Sequence, residues 1–356
     1  MKRILLIAAA IAVMVLAFGC NQPQPKPLTQ QIPTADQVKT VKTAAYIGNE
    51  TCKGCHSDKF SPDALPHTQH FQAFKPLSDY PTDQPLGTIT VFDGQNKDKP
   101  VSTSLDLSKA KVYGVMVDDY VIAEVPDGSG FKDKLYRIAA VKKSGDKYQI
   151  VPAGQDDVNK DGKPDWVAES FPCGPCHAPG IQAKSPDYGI TCESCHGPAG
   201  DHAAAADKKG TMSVSAAGDA CLKCHASNPV KDKSGNFTTD NHHGTRDYFA
   251  SKHAQSSQVN QCLTCHNPHK ANAQGALLIA DKPADICVRC HAGKNYDPDT
   301  IMWKNPTDAY GHITRDHSFG AIKYEDLGDT PGTKPVEITN PKVIDLIKQK
   351  LPDLAK

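Results

Sequence analysis

The chain contains little material for an ordinary hydrophobic core. Hydrophobic residues make up 38% of its 356 positions, only two residues are tryptophan, and the mean hydropathy is -0.48. A domain of this length normally buries most of its apolar surface, so such a polar composition argues against a core built from side chains alone. We therefore expect a bound group to supply part of the core, and we expect the chain not to fold without that group.

Neither sign of charge is in excess. Forty lysines and arginines balance 40 aspartates and glutamates, and removal of a leader containing Lys2 and Arg3 would leave the chain slightly acidic. A protein without a net positive charge has no general attraction for nucleic acid or for anionic lipid. We therefore predict no nucleic-acid partner.

No cysteine is left over for an incidental role. Cys20 belongs to the N-terminal segment discussed below, and the other 12 of the 13 cysteines form six copies of C-x-x-C-H. In this pattern two thiols bond covalently to a c-type haem and the histidine becomes an axial ligand of the iron. The sequence therefore predicts six haem c groups, numbered here with their motifs from 1 to 6, which would also supply the missing core. The motifs are Cys52, Cys55 and His56; Cys173, Cys176 and His177; Cys192, Cys195 and His196; Cys221, Cys224 and His225; Cys262, Cys265 and His266; and Cys287, Cys290 and His291.

A single C-x-x-C has three other common uses: half of a zinc site, a thiol redox pair and a disulfide. Zinc sites combine two such units and do not need a histidine at the next position of every unit. A disulfide framework gives scattered spacings and not one repeated unit. Six complete repeats therefore favour haem.

One long apolar run, residues 4–18, follows two basic residues at the N-terminus. This arrangement is typical of a removed signal peptide, residues 1–19, and not of a membrane-spanning helix. The junction before Cys20 resembles the bacterial lipobox, in which the cysteine is lipidated, whereas an ordinary signal peptide with a free Cys20 is the alternative. Asn21 stands where the resemblance would place aspartate in inner-membrane lipoproteins. The resemblance therefore implies a lipid anchor at the outer membrane, on its periplasmic or cell-surface face.

The spacing of the motifs predicts the organisation of the rest. Residues 20–45 hold several prolines among polar residues, which predicts a solvated tether. One motif stands apart and five follow densely, with room between them for short helices and loops. We therefore predict a multihaem cytochrome c domain over 46–300, in which short α-helices surround a haem stack with little secondary structure. A loop over 301–356 would end in a short helix, because apolar residues recur at helical spacing from 343 to 354.

The long interval between motif 1 and motif 2 has a different character. Five short segments, rich in β-branched and aromatic residues and separated by turn residues, predict a small antiparallel sheet inserted at about 86–165. We expect this sheet to pack against the haem stack, with a docking surface as the alternative. The predicted strands are 88–92, 111–117, 120–125, 134–141 and 148–151.

Residues near the end of this insert resemble the first part of a calcium loop. Asp157, Asn159, Asp161 and Asp165 supply side-chain oxygens at the required positions. The resemblance stops at the twelfth position, where Ala168 replaces the expected acid. Calcium is therefore a possible second cofactor, and a turn that binds nothing is the alternative.

Each haem iron needs a second axial ligand, and nine histidines lie outside the motifs. Beyond the leader, the methionines are Met116, Met212 and Met302. Two histidine ligands give low-spin iron suited to electron transfer, whereas a missing ligand leaves the iron open to a substrate. Histidine at both positions of every iron is the simplest prediction.

The sequence around the motifs resembles multihaem cytochromes of the cytochrome c-554-like and doubled C-x-x-C-H types. The resemblance covers roughly residues 46–300 and includes the Cys-Glu-x-Cys-His-Gly-Pro segment at 192–198 and the Cys-His-Asn-Pro-His segment at 265–269. The resemblance implies that four histidines bind the irons of other haems. One lies beyond the first segment, one ends the second segment, and the other two lie within 69–71 and 252–254. The implied second ligands are His70, His202, His253 and His269, and local context favours His243 and His317 over His67, His242 and His312 for the other two.

These features predict an electron-transfer protein held at a membrane by its lipid anchor. Its expected partners are other redox proteins, such as cytochromes and membrane oxidoreductases, or an external electron acceptor. Two alternatives are a multihaem oxidoreductase that acts on a small nitrogen or sulfur compound at a five-coordinate haem, and a cytochrome that polymerises into a filament. Every motif ends in histidine and spare histidines are present, which favours the carrier.

Overall fold

The structure is a computed structural model. It describes residues 45–60, 64–65, 68–83, 87–95, 101–117, 119–212, 219–226, 231, 234–238, 246–302, 315–321 and 337–350. The predicted signal peptide, Cys20 and the tether up to residue 44 lie outside the described residues. Four histidines also lie outside them: His67, His242, His243 and His312.

The helices of the described residues are short, and most have only four or five residues. Helices of this length are not stable alone, so they depend on what packs against them. Single turns of 3-10 helix occur at Ser57–Phe60, Leu77–Asp79, Arg246–Ala250 and Gln261–Thr264. The α-helices are α1 (Asn49–Lys53), α2 (Gln69–Gln72), α3 (Gly174–His177), α4 (Pro179–Ala183), α5 (Cys192–His196), α6 (Gly200–Ala204), α7 (Asp219–His225), α8 (Pro283–Val288), α9 (Pro298–Ile301) and α10 (Pro341–Lys350).

An eight-stranded sheet fills the interval between motif 1 and motif 2. The strand order is β1-β4-β5-β6-β8-β2-β3, and β7 pairs with β6. Neighbouring strands are antiparallel, except that β2 and β8 are parallel. The strands are β1 (Phe74–Lys75), β2 (Thr88–Asp93), β3 (Ser102–Asp106), β4 (Val112–Met116), β5 (Tyr120–Glu124), β6 (Leu135–Ser144), β7 (Lys147–Val151) and β8 (Trp166–Ser170).

The sheet is larger than the predicted small antiparallel insert, and it is mixed. The five predicted strands correspond to β2, β4, β5, β6 and β7. The strands β1, β3 and β8 were missed, so the sheet extends from residue 74 to residue 170 and not from 86 to 165. β1 has only two residues and β3 is mostly polar, so neither has the apolar alternation that identifies a strand in a sequence. The parallel pair arises because β8 returns to the sheet beside β2.

The buried hydrophobic residues of the described chain form three groups. The first lies within the sheet around Val91, Tyr136 and Ile138, each fully buried. The second joins α7, through Leu222, to the C-terminal helix α10, through Val343 and Ile347. The helix predicted at 343–354 is therefore present in its described part, begins two residues earlier than predicted, and packs on the helix that contains motif 4.

The sheet shares a third buried group with motif 2. Phe74, Met116 and Ile122 of the sheet pack with Ala178, which follows the motif, and Cys173 lies against this group. The sheet and motif 2 are thus one packed unit, and the role of the insert beside the haem stack stays a prediction. In the part of the chain that the structure describes, no helix has the length and apolar character needed to cross a membrane.

Candidate haem-binding site

Each motif forms a tight turn that orients its first cysteine and its histidine together. In motifs 1, 2, 5 and 6, the backbone N–H of the histidine donates a hydrogen bond to the backbone carbonyl of the first cysteine, with N···O distances of 2.8 to 2.9 Å. Motifs 3 and 4 lie within α5 and α7. A bond from residue i+4 to residue i places both side chains on one face of the turn. The first thiol and the imidazole can therefore reach the same haem.

Five motif histidines each face a histidine from another part of the chain. The ring centroids of these pairs are 5.8 to 6.4 Å apart. In each pair the second ring belongs to one of the predicted second ligands. The pairs are His56 with His202 (6.4 Å), His196 with His269 (5.8 Å), His225 with His70 (5.9 Å), His266 with His317 (6.2 Å) and His291 with His253 (6.0 Å).

The separation of the rings fits a shared metal ion. A metal–imidazole bond of about 2.0 Å, with a ring centroid about 1.1 Å beyond each nitrogen, gives roughly 6 Å between two rings on one metal. Aromatic rings in direct contact have centroids about 4.5 to 7 Å apart, a range that also includes these distances. The paired histidines therefore leave room for one iron atom between them.

Hydrogen bonds fix the orientation of several of these rings. The Nδ1 atoms of His266 and His317 lie 3.0 and 2.8 Å from the carbonyl oxygens of Leu277 and Arg315. Because a carbonyl oxygen only accepts, Nδ1 must carry the proton, and the lone pair is on Nε2. Both rings of this pair therefore hold Nε2 in the form that binds a metal.

Burial favours the neutral form of five of these imidazoles, which is the form that ligates iron. Removal from water disfavours the charged ring and lowers its pKa below the ordinary value for histidine. The effect is found in members of all four pairs formed by motifs 3 to 6. The histidines with a pKa lowered mainly by burial are His70, His196, His253, His266 and His269.

Burial disfavours the thiolate form of several motif cysteines. Burial raises the pKa of Cys192 to about 12, with a smaller contribution from Cys52, and burial also raises the pKa of Cys265. The pKa of Cys262 is lowered by a hydrogen bond with Cys221. Thiolate chemistry needs lowered pKa values, which most of these thiols lack. Among the described residues, no group of three or more His, Cys, Asp or Glu side chains is arranged to hold a metal ion.

The motifs are in contact in an order that differs from their order in the chain. Helices α3 and α5, which contain motifs 2 and 3, both pack on α7, which contains motif 4. Cysteines of different motifs interact at four other places along this series. Motif 1 meets motif 3 at Cys52 and Cys192, motif 2 meets motif 4 at Cys176 and Cys224, motif 4 meets motif 5 at Cys221 and Cys262, and motif 5 faces motif 6 at Cys265 and Cys287.

Glu193, inside motif 3, is a buried carboxylate that organises two parts of the site. Its Oε1 accepts hydrogen bonds from the backbone N–H of Ile47 (3.1 Å) and Ala199 (2.8 Å), and its Oε2 accepts from Gly48 (2.9 Å) and Ile47 (3.1 Å). Residues 47 and 48 lead into α1 and motif 1, while Ala199 immediately precedes α6, which contains His202. Glu193 therefore positions both histidines of the His56–His202 pair.

Several buried polar atoms have no hydrogen-bond partner among the residues that the structure describes, and they lie beside the motifs. They include the Tyr248 hydroxyl, the His253 Nδ1 atom and the Arg137 Nε atom. Tyr248 lies near Cys262 of motif 5, and its pKa is raised to about 12 mainly by burial. A buried donor without a partner costs about 1 to 3 kcal/mol. Their position fits a bound group with acceptor atoms, as a haem has in its propionates.

Motif 2 contains His177, which is half-buried beside the buried Ala178. His243, one of the predicted second ligands, lies outside the described residues, as do His67, His242 and His312. The second ligand of haem 2 therefore stays a prediction.

The predicted calcium loop is ordered by its own hydrogen bonds. Asp165 Oδ2 accepts from the N–H groups of Val158 (2.7 Å) and Asn159 (2.9 Å), and Asp157 Oδ1 accepts from Asp161 (3.0 Å). Calcium binding stays a prediction.

Comparisons with known proteins agree with the motifs. Residues 253–296 match the doubled CXXCH motif family. The chain is 26% identical over 122 residues to the multihaem cytochrome MtrA of Shewanella baltica (strain OS185), and the match covers 32% of this chain and 31% of that protein. The undecahaem cytochrome from the S-layer of Carboxydothermus ferrireducens aligns with a TM-score of 0.31 and 16% identity, over 75% of this chain and 46% of that one.

The motif match and the similarity to MtrA support a multihaem c-type cytochrome that binds haem c, a class whose members transfer electrons. The chain spans about a third of the length of MtrA, so the similarity concerns only part of that protein.

Three residues of the site were not identified as such in the sequence. Glu193 was recognised only as part of a segment, and its hydrogen bonds to residues 47, 48 and 199 require the fold. Tyr248 and Arg137 had no local signal at all, because their proximity to Cys262 and Cys173 arises from distant parts of the chain.

Proposed function

We propose that the protein is an electron carrier in which six haem c groups, each with two histidine ligands, form a continuous path. The observation that supports this proposal is the set of five histidine pairs, each with a separation that fits one iron between the rings. Bound haem supplies an iron that accepts and returns one electron. An iron with two protein ligands has no open position for a substrate, which favours transfer over catalysis.

The protein's own residues would bind, orient and shield each haem. The cysteines and the histidine of each motif would hold one haem. The second histidine for each haem would be His202 for haem 1, His269 for haem 3, His70 for haem 4, His317 for haem 5 and His253 for haem 6, and His243 is proposed for haem 2.

The contacts between motifs support a specific route. Motifs 1, 3, 4, 5 and 6 follow each other in space, and motif 2 joins the route at motif 4. The ends of this route, at His56 and His291, are exposed, whereas the histidines of motifs 2 to 5 are partly buried. Haems 1 and 6 are therefore the proposed points of exchange with redox partners, which include other cytochromes, membrane oxidoreductases or an external acceptor.

Electron paramagnetic resonance of the fully oxidised protein tests the choice between carrier and enzyme. We expect only low-spin ferric signals, integrating to six irons per chain, because every iron has two histidine ligands. A high-spin ferric signal of one iron per chain would contradict the carrier and would favour an oxidoreductase with one open haem.

The lipid anchor is part of the same proposal. The leader and Cys20 support attachment to the outer membrane, where the tether of residues 20–45 would set the reach of the haem domain. In the natural host, Cys20→Ala is expected to release the protein from the membrane fraction and to abolish incorporation of labelled palmitate, with all six haems retained. Unchanged membrane association and labelling of this variant would contradict the anchor.

A further inference from the structure

Arg137 lies where the sheet meets motif 2. It is located on β6 and pairs across the sheet with Glu169 of β8. β8 ends at Ser170, and motif 2 begins three residues later. Any residue on this end of β6 is therefore adjacent to the segment that anchors haem 2.

The side chain of Arg137 lies on the face of the sheet that packs against motif 2. Side chains alternate between faces along a strand. Tyr136 belongs to the buried group within the sheet, whereas Leu135 packs with the group that includes Cys173. Arg137 shares the face of Leu135, and its charge acts on Cys173.

The guanidinium is largely removed from water but only partly paired. Its side chain is 19% exposed, and its Nη2 atom forms an ion pair with Glu169. Its Cζ atom lies 4.6 Å from the centroid of the Tyr120 ring. The Nε atom is buried and has no hydrogen-bond partner among the described residues. Burying a cation is costly unless its hydrogen-bond donors have acceptors. The ion pair between β6 and β8 satisfies Nη2 but supplies no acceptor for Nε.

We propose that Arg137 sets the reduction potential of haem 2, the haem anchored by Cys173 and Cys176. Reduction adds one electron to the ferric iron and gives ferrous iron, so the haem gains one negative charge. A fixed positive charge in a poorly solvated environment stabilises this reduced form and raises the potential. Arg137 acts here as a positioning and electrostatic residue that does not ligate the iron. The inference rests on the proposed haem at motif 2.

Glu169 provides an internal check on the sign. Its carboxylate is 39% exposed and partly neutralises the guanidinium. Removing the carboxylate charge leaves the positive charge of Arg137 less compensated. Opposite changes in the potential are therefore expected when each partner is neutralised in turn.

The test is a spectroelectrochemical titration of the intact holoprotein. Arg137→Gln is expected to shift one sixth of the total absorbance change to lower potential, and Glu169→Gln to shift the same fraction to higher potential. Arg137→Lys retains the charge and should titrate close to the parent protein. Lys143→Gln is the matched control, because Lys143 is an exposed cation on the same strand, about 20 Å further along at 3.3 Å per residue.

The outcomes separate this inference from the proposed function. If Arg137→Gln retains six low-spin haems and titrates like the parent protein, the role of Arg137 is wrong and the carrier stands. A parent protein with fewer than six haems, or with a high-spin iron, would instead contradict the carrier. If Arg137→Gln fails to accumulate, Glu169→Gln decides, because the inference predicts a shift to higher potential and an unchanged curve would overturn it.

Discussion

His70→Ala is expected to convert one haem of the six into a form that binds carbon monoxide, while all six haems stay covalently attached. The ring of His70 lies 5.9 Å from the ring of His225, so its loss removes the second ligand of haem 4. The alanine side chain cannot reach the iron, and the fifth ligand and both thioether bonds are unchanged. The oxidised variant should therefore show a high-spin ferric signal of one iron per chain.

The measurement is a carbon monoxide titration of the reduced protein, with an expected stoichiometry of one per chain against none in the parent. Gln69→Ala is a suitable control, because Gln69 is an exposed residue on the same short helix α2. If the variant binds no more carbon monoxide than this control, His70 is not the ligand of haem 4.

Glu193→Ala is expected to lower the free energy of unfolding by about 3 kcal/mol and to weaken the ligation of haem 1. The carboxylate accepts hydrogen bonds from three buried or partly buried amides, and bonds to a charged group contribute about 1.5 to 3 kcal/mol each before the loss is partly offset by water. These amides precede motif 1 and α6. Their release therefore loosens both His56 and His202.

Thermal unfolding and the low-spin signal of the oxidised protein measure the two parts of this prediction. Glu193→Gln keeps one acceptor oxygen and should be affected less than Glu193→Ala. Glu50→Gln is the control for loss of charge, since the Glu50 side chain is 85% exposed and its nearest cation, Lys53, is 3.8 Å away. Equal stabilities of Glu193→Ala and Glu50→Gln would show that Glu193 does not connect the two segments.

The sequence predicts which residues form the site, but not which of them lie together. Local patterns give the motifs, the resemblance to multihaem cytochromes implies His70, His202, His253 and His269 as iron ligands, and local context adds His317. Their binding to iron stays a prediction, but in the structure each of the five faces a motif histidine. Nothing local indicates that His70 faces motif 4 or that His269 faces motif 3. Such pairings depend on contacts between distant segments of the chain. The order in which the motifs follow each other in space depends on the same contacts.

The sheet illustrates the same limit for the fold. The strands β2, β4, β5, β6 and β7 were predictable, because each is rich in β-branched and aromatic residues and turn residues flank it. The polar β3 and the two-residue β1 are strands because they pair with β2 and β4. The parallel pairing of β8 with β2 is a property of the whole sheet. The antiparallel pairing of β8 with β6 brings Arg137 close to motif 2.

The low content of hydrophobic residues also has a consequence in the structure. Outside the sheet, the buried group around Leu222, Phe249 and Ile347 is small, and the histidine pairs are separated by the width of a ligated iron. The helical region therefore has few protein contacts of its own. This supports the expectation that its stability depends on bound haem.

The most direct test of the account is the position of the irons in a crystal of the holoprotein, located by anomalous diffraction at the iron edge. We predict six iron peaks, including one between the rings of each pair: His56 and His202, His196 and His269, His225 and His70, His266 and His317, and His291 and His253. A histidine pair without an iron between its rings, or an iron with only its motif histidine as ligand, would contradict the account.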